Sequence, residues 1–352
     1  MRYFIEGKMK VTRECLDINT RRDTNVTGKR LMFESFNHPK AKYFTRPLLT
    51  LSALALACLL FMPVASAEET SAQQVFPSPG AATGALIAAV KADDKKAMSS
   101  ILGPDANQVL SSGDPVADKN ARDEFASRYQ EMHRLAYDEQ GRVILYLGAN
   151  NWPVPIPLVK KGDGWIFDTA AGKEELLSRR VGRNELFTIG ALADLVDAQT
   201  EYASGARDGD STPQFAQKIL SDSGKHNGLY WEAAEGQPES PIGPLVASAT
   251  AEGYQKDSGG NPIPFHGYYY KVLTSQGKNA PGGAKKYIAD GKMTNGFAFL
   301  AYPAEYRASG VMTFMVNQDG VIVQKELGPD TAKLASKMTA YNPDKTWQEV
   351  DE

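Results

Sequence analysis

Residues Gly172–Ser204 read GKEELLSRRVGRNELFTIGALADLVDAQTEYAS. Apolar side chains return there at three- and four-residue spacings, the period of an amphipathic helix. Leu186, Ile189, Ala193, Val196 and Ala203 fall on one face, with Leu192, Leu195 and Tyr202 widening it. Arg179, Arg180 and Arg183 gather on the polar side, near Glu174, Glu175 and Glu185. The residues that follow supply an apolar partner for this helix. Gly267–Thr274, Gly296–Tyr302, Gly310–Asn317 and Val321–Glu326 read as four strands of an antiparallel meander. Asn317–Gly320, with its Asp-Gly pair, reads as the hairpin turn between the last two. Asp330–Ala340 reads as a closing helix, and Tyr202–Trp231 and Pro238–Pro244 as loops.

Upstream, helices come first. Ser78-Pro79 has the residue types of an N-cap and first helical position. Ala82, Leu86, Ala89 and Val90 then form a stripe on a helix ending near Asp93. Lys95–Leu102 reads as a second helix, stopped by Gly103-Pro104. Lys119–Leu135 reads as a third, with Phe125, Tyr129 and Met132 on one face. Arg142–Leu147 follows as a strand. Val154–Lys160 alternates, but prolines at 153, 155 and 157 confine it to an edge or a bulge. Gly162-Asp163-Gly164 turns into Trp165-Ile166-Phe167. The expected class is α+β: helices plus a curved antiparallel sheet over 78–171, then a long helix on a four-stranded meander over 172–352.

The N-terminal residues 1–67 have a different character. Pro47–Ala67 carries no charge, is preceded by Lys40, Lys42 and Arg46, and ends in Ala65-Ser66-Ala67. That is the pattern of a secretory signal peptide with cleavage after Ala67. An uncleaved anchor or a lipid-modified Cys58 are the alternatives; the apolar Leu59–Met62 continuing past Cys58 argues against the second. Met32 would give a more usual start than Met1. Glu68–Phe76 reads as a polar tether, placed at 68–77. Of the 39 Lys/Arg and 42 Asp/Glu, residues 1–67 hold 11 and 5; the remaining 28 and 37 give the exported part a net charge of −9. Nucleic-acid binding needs clustered basic residues and is not expected. Both cysteines, Cys15 and Cys58, precede the cleavage point, so thiol catalysis, disulfides and Cys-based zinc sites are excluded from the mature chain.

Three resemblances bear on the reading. Ser240-Pro-Ile-Gly-Pro-Leu, Glu252-Gly-Tyr, Phe265-His-Gly-Tyr-Tyr-Tyr-Lys, Ala280-Pro-Gly-Gly-Ala, Gly296-Phe-Ala and Ser309-Gly-Val-Met-Thr-Phe are together similar to a secreted bacterial family, domain of unknown function 2950. The likeness covers nearly all of the mature chain and implies an extracytoplasmic address without an activity. Arg307 stands where that family usually has glycine. The element order over Phe76–Ala171 resembles the cystatin-like cone of nuclear transport factor 2 relatives. Asn184-Glu-Leu-Phe-Thr-Ile-Gly-Ala-Leu, Ala198-Gln199, Tyr202, Ala301-Tyr-Pro and Phe314 with Asp319-Gly320 resemble a type IV pilin or pseudopilin head. A pilin has an apolar half-helix before this segment; here Gly172–Gly182 is charged, so the likeness implies the head fold and not polymerisation.

Candidate sites are few. No phosphate loop, dinucleotide fingerprint, His-Glu-x-x-His or nucleophile elbow occurs. His133 is expected on a charged helix face, and His266 in a structural hydrogen bond. Ser221-Asp222-Ser223 and His226 have the residue types of a hydrolytic triad, but adjacency in sequence is not the geometry a triad needs. Asp208-Gly-Asp210 alternates acids on a turn, as a calcium loop does; a full loop adds a third acid and a Glu, and Gln214 and Ile219 stand there instead. A solvated turn without a cofactor is the expected reading, and a weak calcium site at Asp208 and Asp210 is the alternative. Arg179, Arg180 and Arg183 are expected to form a solvated or internally paired face with Glu174, Glu175 and Glu185, the alternative being a site for an anion or an acidic partner surface. In Tyr268-Tyr269-Tyr270 faces alternate, and an exposed ring, Tyr269, could stack on sugar or peptide.

These features lead to a periplasmic or secreted protein, more a non-catalytic binding or envelope-assembly module than an enzyme. Its partner would be an envelope protein or glycan, and it would meet the membrane only through the signal segment. The alternative is a periplasmic hydrolase with a site in the N-terminal cone or the His226 loop.

Overall fold

The computed structural model describes residues 73–233, 236, 239–255 and 262–350. The charge-free segment, the cleavage point, Met32 and both cysteines lie outside the described residues. The expected tether is not a tether from Gln73 onward. Phe76 is 5% exposed and bridges to Trp165, and the Gln73 amide donates to the carbonyls of Ile101 and Phe167. An apolar ring with a strand edge in reach docks rather than staying solvated.

The first helices form where their caps allow. Helix α1, Pro79–Lys91, is capped by Ser78, whose hydroxyl accepts from the Ala81 N–H at 3.1 Å. Helix α2, Lys95–Leu102, is capped by Asp94. A short α3, Ala106–Leu110, was not foreseen. Helix α4, Pro115–Glu131, starts and ends four residues before the expected limits. Asp114 supplies its cap, accepting from Val116 and Ala117, and Pro115 its first position. It stops because Met132 turns extended and strand β1, His133–Tyr137, begins. His133 is therefore a strand residue.

Strand β1 pairs antiparallel with β2, Val143–Leu147, with Leu135 opposite Leu145. Strand β3, Trp152–Pro153, pairs with the end of β2. Strands β4, Leu158–Lys161, and β5, Gly164–Phe167, complete the sheet in the order β1-β2-β4-β5. Strand β4 is thus interior, not an edge. The prolines are accommodated by a break, with Pro155 and Pro157 falling between β3 and β4.

Helix α5, Thr169–Tyr202, runs 34 residues from its cap Asp168 and takes in the boundary expected at Gly172. Gly172 sits where the helix crosses the backbone of Pro155, with no room for a Cβ. The buried face keeps Leu192, Leu195 and Tyr202 of the expected one, with Ile189 and Val196 packed at its edge, but Leu186 is 68% exposed and Ala193 is exposed. Asn184, Thr188, Ala191, Ala198 and Gln199 are buried beside them. Three of these are polar because they satisfy backbone or hydroxyl partners. Asn184 donates to the Ser309 carbonyl, Gln199 exchanges two 2.8 Å bonds with Ala216, and Thr188 accepts from Tyr270.

After α6, Gly243–Ala251, come β6, Tyr268–Leu273; β7, Ser275–Gln276; β8, Lys285–Lys286; β9, Ile288–Ala289; and β10, Lys292–Met293. Then follow β11, Ala298–Pro303; β12, Met312–Asn317; β13, Val323–Glu326; α7, Thr331–Lys337; β14, Ala340–Tyr341; and β15, Gln348–Glu349. The meander is present, β6-β11-β12-β13, with β15 added at its edge. Register and side-chain bonds assign its faces. Tyr268 and Tyr270 reach α5 residues, so their partners Pro303 and Ala301, and Phe314 opposite Ala301, share the α5 face. Lys271 donates to the carbonyls of Ser336 and Met338, so α7 covers the other face. Arg307 is held in the left-handed region at φ 65°, in the turn before β12.

Two hydrophobic cores result. One gathers α1, α2 and the first sheet; the other gathers the second half of α5 and the meander. A polar joint connects them. Asp114 is fully buried and its Oδ2 accepts from the Tyr254 hydroxyl at 2.9 Å and the Gly267 N–H at 2.8 Å. The His266 Nε2 lies 2.9 Å from Glu252 Oε2.

Candidate functional site

The first core is incomplete. Between α4 and α5, over β2 and β5, lies a cleft of about 320 Å³. Its walls are apolar: Leu86 and Val90 of α1, Leu102 of α2, Leu147, Trp152, Ile156, Phe167, Phe125 of α4 and Leu176 of α5. Helix α4 has no fully buried residue over 17 positions, because the face that carries Phe125 looks into this hollow.

Five arginines also line it: Arg122, Arg128, Arg179, Arg180 and Arg183, against the acids Asp118 and Glu124. Three are paired. Arg122 meets Asp93 at 2.9 Å, Arg128 meets Glu124 at 2.6 Å, and Arg179 meets Glu175 at 2.6 Å. Arg179 also lies 5.5 Å from the Trp152 ring centre. Asp118 is held by Ser112, whose N–H and hydroxyl donate to it. Arg180 is half-buried and donates to the carbonyls of Val109, Ser111 and Ala308. Burial pushes its guanidinium below the ordinary value; Asp118 and Glu305 oppose this and Arg183 adds to it. Arginine nevertheless keeps its proton. Arg183 is exposed, and among the described residues neither it nor Arg180 hydrogen-bonds or ion-pairs with a carboxylate.

The other sequence candidates lie elsewhere. Tyr269 is half-buried on the α7 side of the meander, its ring 5.4 Å from Tyr302. His133 stacks on Tyr129 at 3.8 Å. The triad-type residues are not assembled. Ser221 Oγ bonds with Gly228, Asp222 with Lys218 and Asn227, and His226 with Asp208. Lys218 is the largest cause that holds the Asp222 carboxyl below its usual range.

Asp208 and Asp210 border a hollow past the end of α5 with Tyr202, Arg207, Gln214 and Asn227. The Asp208 carboxylate accepts from the His226 N–H at 2.8 Å. Asp210 carries the Lys292 ammonium on Oδ1 and the Gln214 amide on Oδ2. The Lys292 bond lowers the Asp210 pKa. Among the described residues no three His, Cys, Asp or Glu side chains converge as metal ligands would.

A family model described as protein of unknown function (DUF2950) matches residues 73–350, which include both cores, the joint and the cleft. The chain belongs to the DUF2950 family. No curated protein and no solved structure matches it. Among the described residues of this DUF2950 chain no helix is long and apolar enough to cross a membrane.

Sequence reading named Arg179, Arg180 and Arg183, which the fold brings together on the cleft, but missed Arg122, Arg128 and Phe125 as their counterparts. A signal existed. On α4, Asp118, Arg122, Phe125 and Arg128 recur at spacings of three and four; on α5, Leu176, Arg179, Arg180 and Arg183 do the same. Stripes that mix guanidinium with apolar side chains suit the rim of a hollow better than either a solvated or a core face.

Proposed function

We propose that the chain is a non-catalytic binding module of the bacterial cell envelope, exported and cleaved after Ala67, with the cleft between α4 and α5 as its site. The observation that carries the reading is the cleft: an apolar hollow of about 320 Å³ with converging guanidinium groups. Small-molecule sites are concave and mostly apolar, with a few placed polar groups, and run from ~300 to ~1,000 Å³. Catalysis needs a base within reach of a nucleophile. The ionisable groups lining the cleft are arginines and two engaged carboxylates, and the residues around His226 bond to other partners. The order of elements supports a cone like that of nuclear transport factor 2 relatives for the first half and a pilin-like head for the second. The exported address rests on the charge-free Pro47–Ala67 run and its Ala-Ser-Ala end.

Native mass spectrometry of protein purified from the envelope fraction tests both parts. The expected species begins at Glu68 and carries a small-molecule adduct that a Leu176→Trp plug removes. A different N-terminus, or a lipid on Cys58, sinks the address. Equal adducts on both proteins, or turnover of ester substrates lost with one polar side chain, sinks the binding reading.

A further inference from the structure

The cleft's electrostatics narrow what it holds. Exported residues carry a net charge of −9, so a rim with five arginines and two acids is a local reversal of sign. Three arginines are neutralised by Asp93, Glu124 and Glu175. Arg180 and Arg183 hydrogen-bond to no carboxylate among the described residues; Asp118 and Glu305 act on half-buried Arg180 only through space, and its bonds go to carbonyl oxygens. Removing a guanidinium from water is costly unless an anion shares the site. Its planar fork matches carboxylate and phosphate oxygens. Behind this pair the walls are Phe125, Trp152 and Leu176, which offer nothing to a polar ligand and remove apolar surface from water. At about 320 Å³ the hollow is at the small end of ligand sites, with room for one tail and not two. A nucleic acid needs a basic stripe along an extended surface, and a cleft whose arginines are largely offset by carboxylates is no such stripe.

We propose that the cleft takes a single-tailed amphiphilic anion, its tail among Phe125, Trp152 and Leu176 and its carboxylate or phosphate head against Arg180 and Arg183. This rests on the reading of the cleft as the binding site. The head lies at the mouth, where exposed Arg183 closes over it, and half-buried Arg180 is the fixed member of the pair. Because Arg180 also ties the carbonyls of Val109, Ser111 and Ala308, its removal loosens the fold. Arg183 is the clean position to alter.

Isothermal titration with dodecanoate, dodecyl phosphate and dodecanol, each below its micellar concentration, tests the proposal. The anions are expected to bind about 10- to 100-fold more tightly than dodecanol, the range of one or two hydrogen bonds to charge. Arg183→Ala removes most of that gap and leaves dodecanol affinity unchanged. Binding of dodecanoate assigns a carboxylate head, and binding of dodecyl phosphate alone a phosphate head; either supports the proposal. Dodecanol binding as tightly as the anions overturns the anionic head but leaves the cleft as a site. No binding by any of the three overturns the cleft reading as well. Leu176→Trp, with Val90→Trp as a second plug should the first not fold, abolishes binding of all three. Undiminished binding to a folded plugged variant places the ligand elsewhere and overturns the proposal.

Discussion

Around the meander, Tyr268, Tyr287, Phe297, Phe299 and Phe314 are each 1% exposed or less, and α5 and α7 cover opposite faces of the sheet. Around the first sheet, α4 buries no residue fully, and its Phe125 borders a cleft. Both cores draw on the same aliphatic and aromatic side chains, so composition does not separate them. What separates them is the second cover. The meander is covered on two sides and gains most of the transfer and packing energy its aromatic residues offer. The first core gives up part of that energy along α4, and guanidinium groups stand where further apolar side chains would close it. A filled core scaffolds, and a hollow one is available to a ligand.

The largest expected effect tests that contrast directly. Leu192→Ala, in the filled core, should cost about 2–5 kcal/mol in urea unfolding, since a packed site does not collapse around the loss. Phe125→Ala should cost under ~1.5 kcal/mol, about half the value of full burial, because it widens a hollow that already exists. Equal costs at the two positions would break the comparison.

A smaller effect concerns the joint between the cores. Burial holds the His266 imidazole below its ordinary value, against the pull of Glu252 and Asp114 and with the push of Arg183. Tyr254, which also packs against it, stays protonated because burial and Asp114 raise its pKa. A lowered folded value means that the unfolded chain takes up the proton first as the pH falls. His266 therefore contributes its full stability above about pH 6.5, and that contribution declines below it. Urea midpoints should fall between about pH 7 and 5, and His266→Gln should flatten part of the slope. A slope unchanged in the variant would assign the acid sensitivity to other groups.

The smallest effect lies past the end of α5. Calcium at Asp208 and Asp210 competes with Lys292 for the Asp210 carboxylate. Millimolar calcium is expected to raise Tm by no more than ~3 °C, and Asp210→Asn to abolish the rise. A melting curve unmoved by calcium would leave Asp210 to Lys292 and Gln214.

Much of this fold was legible because its periodic segments are long or its turns specific. The meander followed from four β-rich runs and an Asp-Gly turn, and α1 and α2 from Ser78-Pro79 and Gly103. Strand β1 was not legible, because His133–Tyr137 is an exposed edge with no apolar run and continues the helical spacing of α4. The inward face of α5 was legible at Ile189, Leu192, Leu195, Val196 and Tyr202, and its polar members were not. Asn184, Thr188 and Gln199 are buried to pair with other groups, so counting apolar residues alone misses them. The arginine cluster was visible as a cluster, but the cleft was not. Its walls come from eight separate elements and connecting loops, and a hollow has no residues of its own to recognise.

Helix α5 joins the two regions by more than contact. At ~1.5 Å per residue, its 34 residues make a rod of about 51 Å, and no proline offers it a hinge. Leu176 near one end lines the cleft, while Tyr202 at the other donates to the His226 carbonyl. Between those ends, bonds at Asn184, Thr188 and Gln199 fasten the rod to the second core. The wall of the cleft and the scaffold of the second core are thus cut from one continuous helix.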